Sequence, residues 1–217
     1  NIKNLSPVMA IEESLMVMDH MRKITAEAID KAKQCLLTPE FDLGLQERVK
    51  KIEEITDQMQ KEFIMFLSKV MLFELDEEQS AKVRALIRIS DELESICDYC
   101  YNIAKYRRRL EENGIRLHAE STELLEKIMI QVEAFYAHSA EWIAEPEKIV
   151  PDAIMTEYRN LNEQSNQIRS HHLEMIEKQQ YPPVFGLTFS DIMISIRRIK
   201  NHTLNVAEAA GGGACKY

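Results

Sequence analysis

An all-α architecture, two tandem three-helix repeats joined in an elongated helical bundle, is what this sequence predicts. Three observations carry the prediction. Apolar residues recur at three- and four-residue steps through six long stretches. Glycine and proline are scarce, six of each in 217 residues, and most of them fall between those stretches. The second half of the chain also repeats the motif pattern of the first.

The elements follow in order. Ser6-Pro7 opens the first helix, a hydroxyl N-cap followed by proline in the first turn. Val8, Ile11, Leu15, Met18, Met21 and Ile29 carry it to about Leu36, before Thr38-Pro39 breaks it. A second helix runs from about Leu43 to Leu72, with Ile52, Ile55, Met59, Phe63, Phe66 and Val70 as its core face. Asp76 and Gln79 have the spacing of a capping box, with Glu77 and Glu78 in the first turn, and start a third helix. That helix ends in Arg107, Arg108 and Arg109 and stops at Asn113-Gly114. A fourth covers about Ser121 to Ala144, a fifth about Asp152 to Lys178, and a sixth about Thr188 to Ala210, ending at Gly211-Gly212-Gly213.

Bulk composition narrows the function classes. Hydrophobic content of 45% with 29% charged residues suits a globular protein. A net charge of -9 argues against a nucleic-acid partner and suits cations. No apolar run reaches the roughly 18 residues that span a bilayer, and no signal peptide is evident. Cys97 and Cys100 form a CxxC, but inside a helical pattern with no preceding strand, so they are expected as reduced core thiols in a cytosolic setting. The chain begins at Asn1 rather than Met, as a piece of a longer protein would.

The stretch 86–105, LIRISDELESICDYCYNIAK, carries the chemistry. Leu86, Ile89, Leu93, Ile96, Cys97, Cys100 and Ile103 form a buried stripe, and Asp91, Glu94, Asp98 and Asn102 run beside it at the same steps. Acids along the edge of a buried face are costly unless something positive meets them. Glu94 and Asp98 lie one turn apart, about 6 Å along the axis. Glu53 and Asp57 make the same pair on the preceding helix. Packed side by side, the two helices would bring four carboxylates together, which repel unless a hard cation binds.

The repeat sharpens this expectation. EITDQMQ (54–60) sets over EQSNQIR (163–169), and LESICDYCYNIAK (93–105) over IRRIKNHTLNVAE (196–208). The units are therefore 1–114 and 115–217. Glu53, Asp57, Glu94 and Asp98 correspond to Asn162, Asn166, Arg197 and Asn201, so all four acids are lost together. The second unit is expected to hold a metal-free pseudo-site in which the asparagines and an internal positive charge from Arg197 satisfy one another. A di-iron enzyme is a poor match: none of the six histidines has a glutamate three residues before it. No nucleophile–base pair and no phosphate-cradling glycine loop appears.

LESICDYCYNIA resembles the Glu-x-x-x-Asp signature of PhoU-like domains, which an Asn-Ile-Ala run usually follows. RRIKNHTLNVAE resembles a second copy. LSPVMAIEESL resembles the start of PhoU-like domains that follow the membrane part of bacterial sodium/phosphate cotransporters. The resemblance spans nearly the whole chain and implies two three-helix bundles, no enzymatic activity, and regulation of phosphate uptake at the cytoplasmic face of the membrane. It implies a divalent or trivalent metal ion (iron, manganese, magnesium or zinc) at Glu53, Asp57, Glu94 and Asp98. The implied partner is a membrane transport domain on the same polypeptide, with a homodimer possible. Arg197, Asn201, Asn162 and Asn166 depart from the pattern, so a second metal cluster is not expected. The competing expectation is a metal-free helical scaffold with solvated acids.

Overall fold

A computed structural model of the chain describes residues 6–148 and 150–212. Six α-helices and one short 3-10 turn account for nearly all of them, and no strand occurs among the described residues. The helices are α1 (Pro7–Leu37), α2 (Leu43–Val70), α3 (Glu77–Glu112), α4 (Ala119–Ala144), α5 (Pro151–Glu177) and α6 (Pro183–Ala210).

Local sequence explains the boundaries. Ser6 caps α1 through its hydroxyl, and Asp42 caps α2 by accepting from the Leu45 N–H at 3.1 Å. Asp76 and Gln79 form the expected reciprocal box at the start of α3. Gly114, at φ 65, supplies the left-handed residue that ends α3. The sixth helix begins at Pro183 rather than near Thr188, because proline is well suited to a first turn.

Helices α1, α2 and α3 pack on one another, as do α4, α5 and α6, and the most extensive contact of all joins α3 to α6. A second seam joins α1 to α4, where the Tyr136 hydroxyl donates to the Arg22 carbonyl at 2.7 Å. One continuous hydrophobic core draws on all six helices. Cys35, Cys97 and Cys100 are free thiols inside it, and Cys215 lies outside the described residues. Burial pushes the Cys97 thiol up to about 11, so it is an apolar core group rather than a redox or metal-binding thiolate.

The buried face of α2 differs from the expected one. Val49, Ile52, Thr56, Phe63, Leu67 and Val70 are buried, while Ile55, Met59 and Phe66 sit at the margin. Thr56 can enter the core because its hydroxyl donates to the Ile52 carbonyl at 3.0 Å. This rotation leaves Glu53 and Asp57 on the rim of the buried face.

Candidate functional site

The four predicted acids fall on α2 and α3, which pack against each other. Glu53, Asp57 and Glu94 are half-buried, and Asp98 is exposed at the open edge. Their charges are felt mutually. Burial, then Asp98 and Asp57, raises the Glu53 carboxyl above its ordinary range, and Lys105 only partly opposes this. Burial, then Asp98, Asp57, Glu53 and Asp91, pushes Glu94 up to about 7. Beside them Gln60 reaches across from α2 and donates to Asp91 at 2.7 Å.

Chemically this donor set fits a hard cation: four carboxylates, two of them driven toward protonation by one another and by burial. The side chains do not converge on one point. Among the described residues, no group of three or more His, Cys, Asp or Glu side chains is placed to hold a metal ion. Asp57 is instead paired with Lys61, one turn along α2, at 2.6 Å.

In the second unit the internal positive charge is not where the repeat suggested. Arg197 is exposed, whereas Lys200 is buried to 1% exposure. Lys200 aligns in sequence with Cys97 of the first half. Its ammonium donates to Asn162, the counterpart of Glu53, and lies 4.5 Å from the centre of the Tyr158 ring. Tyr158 in turn donates to Asn201, the counterpart of Asp98, at 3.2 Å. Burial, reinforced by Arg197, lowers the Lys200 pKa to about 8. The signal was present in the sequence: Lys200 lies on the Ile196–Lys200–Thr203–Ala207 row that packs inward.

Two features escaped sequence reasoning. His202 bonds Glu92 at 2.6 Å across the α3–α6 seam, and Asn205 donates to the same carboxylate oxygen at 3.1 Å. Tyr99 stacks on His202 with ring centres 5.6 Å apart. The pair is separated by 110 residues, so no local spacing could announce it. The arginine run Arg107–Arg109 is consumed internally. Arg107, 3% exposed, donates to the Thr38 and Pro39 carbonyls and reaches Glu111; Arg108 pairs with Glu112, and Arg109 with Asp191.

No helix among the described residues is long and apolar enough to cross a membrane. Comparison with curated protein sequences gives no match. The PhoU domain family matches residues 18–106, which run from α1 into α3 and include all four acids. Among solved structures, the crystal structure of PhoU from Pseudomonas aeruginosa superposes with a TM-score of 0.83 at 17% identity, covering 93% of this chain and 95% of that one. The six-helix bundle therefore has the PhoU fold, and its first half carries a match to the PhoU domain.

Proposed function

We propose that this chain is a regulatory, non-catalytic PhoU-like domain that modulates phosphate transport from the cytoplasmic face of a bacterial membrane. Its partner in this reading is the transport domain of a sodium/phosphate cotransporter on the same polypeptide. Its effector is a divalent or trivalent cation held by Glu53, Asp57, Glu94 and Asp98. Neutralised by the cation, α2 and α3 would close together, which sets the surface they offer to the partner. The observation that carries the metal reading is the packing of α2 on α3 with four carboxylates along the shared rim, where burial and crowding push the Glu94 carboxyl up to about 7. The resemblance to PhoU supports the regulatory reading, and the match over residues 18–106 falls on the acid-bearing unit.

A metal-free helical scaffold for dimerisation or partner binding is the second reading, favoured by the Asp57–Lys61 pair and by the absence of a converged ligand triad among the described residues. Elemental analysis of protein purified without chelator or metal-affinity resin separates the two. Bound iron, manganese, magnesium or zinc that disappears in Glu94→Gln/Asp98→Asn supports the first. Stoichiometric metal unchanged in that variant, or none under any loading condition, leaves the scaffold.

A further inference from the structure

The groove between α5 and α6 is formed by the stretches that align in sequence with the acidic stretches of α2 and α3, and the aligned charges are reversed. Asp57 is replaced by Asn166, Glu94 by Arg197, Gln60 by Arg169 and Asp91 by Ile194. Here the helices flank an open cavity of about 260 Å³, whose lining includes Arg169, Arg197, Asn166, Ser190 and the buried His172, held on the Gly186 carbonyl, beside apolar Leu173, Met193 and Ile194. In a chain of net charge -9, neither arginine is paired with a carboxylate among the described residues. Buried Lys200, whose ammonium Arg197 repels, adds to the imbalance, because its partners are an amide and an aromatic ring instead of an acid.

We propose that this cavity binds an oxyanion carried on an apolar body, with the guanidinium groups of Arg169 and Arg197 on the anion and Asn166 and Ser190 completing its hydrogen bonds. Guanidinium is the cation best matched to phosphate or carboxylate, since it donates in a planar fork. The apolar requirement comes from the floor. Leu173 and Ile194 are 47% and 45% exposed. Past Ser190 the cavity adjoins a second one of about 610 Å³, whose lining includes Ile176 and Leu187. A bare inorganic ion would leave this surface wet. The two halves of the molecule would then answer ions of opposite sign at corresponding grooves. This site stands independently of metal binding in the first unit.

Isothermal titration of the full chain in low-salt buffer with inorganic phosphate and with hexyl phosphate tests the proposal. Hexyl phosphate is expected to bind saturably, one per chain, and about tenfold or more tighter than inorganic phosphate, given the gain for each buried methylene. Arg169→Gln and Arg197→Gln, both surface changes that leave the core intact, are each expected to weaken binding about tenfold, and together to abolish it. Glu94→Gln/Asp98→Asn should leave this binding unchanged, which separates the site from the acidic one. Co-sedimentation with phosphatidylcholine vesicles containing phosphatidylglycerol, lost in the double arginine variant, would make the source a lipid headgroup; hexyl phosphate binding without sedimentation would make it a soluble ligand. No saturable binding of either phosphate probe, or equal binding by the double arginine variant, overturns the proposal.

Discussion

Lys200 and Cys97 fall at the same place when the stretches 93–105 and 196–208 are set over each other, and both are fully buried, one as an ammonium and the other as a neutral thiol. The first unit therefore has acids at its rim and no fixed cation beneath them. The second has amides around a cation built into the chain. The loss of the four acids and the gain of a core lysine go together, so the two halves differ in where their positive charge lies.

Lys200 should be a stability liability at neutral pH. Its pKa is about 8 in the folded protein against 10.5 in the unfolded chain, so the folded state holds its proton less tightly. Its contribution to stability is thus full above about 10.5 and lost as pH falls through about 8. Lys200→Met should raise stability at pH 7 by about 1–2 kcal/mol, since a buried charge is exchanged for an apolar group of similar length. Its advantage over wild type should shrink toward pH 10. Urea denaturation of both proteins across this range checks the sign.

Glu94 gives the opposite slope. Its folded pKa of about 7 lies above the ordinary 4.5, so its favourable contribution is full below about 4.5 and lost as pH rises through about 7. Metal-free protein should lose stability across that window, on the order of 2 kcal/mol after allowance for solvent screening. Glu94→Gln should flatten the curve. If metal binds at the acids, adding it to wild type at pH 7.5 should restore the loss, and adding it to Glu94→Gln should not. Melting temperatures with and without chelator give the comparison.

The α3–α6 seam carries a bond between a carboxylate and two donors. Glu92 accepts from both His202 and Asn205, and its side chain is 15% exposed. Glu92→Ala should cost about 2 kcal/mol, because it leaves two donors half-buried without an acceptor. A double-mutant cycle with His202→Ala should show coupling of about 1 kcal/mol or more. Additive losses would show that packing alone joins the helices.

Gly211 is required by a close approach rather than by its backbone angles. A Cβ there would stand 2.7 Å from Trp142 Cζ3, and Trp142 is a buried core side chain of α4. Gly211→Ala should destabilise by about 1–3 kcal/mol through overpacking. Gly211→Ala/Trp142→Phe should recover part of the loss, measured by chemical denaturation.

What could be read from the residues alone was whatever has a local period. The helix count, the cap at Ser6, the box at Asp76 and the inward row of α3 all follow from spacing within one segment. The acids at 53, 57, 94 and 98 were legible because two such segments repeat and differ at those positions. Thr56 was missed on α2 because its hydroxyl is satisfied by its own helix, which makes a polar residue behave as a core one. Lys200 is not legible as the internal cation, since a lysine on an inward row has no evident partner until Asn162 and the Tyr158 ring are placed beside it. Glu92 with His202, and Arg109 with Asp191, join residues from opposite halves of the chain, and spacing along one helix says nothing about them.

Glu92 and Glu94 leave α3 within one turn of each other, the first toward α6 and the second toward the rim shared with α2. Both groups are fixed to the same helix, so the Glu92 bonds to His202 and Asn205 hold the orientation in which Glu94 faces its acidic neighbours. One rigid helix thus carries the crowded rim on one flank and the anchor to α6 on the other, so a change in charge at Glu94 should be felt in the strength of the Glu92–His202 bond.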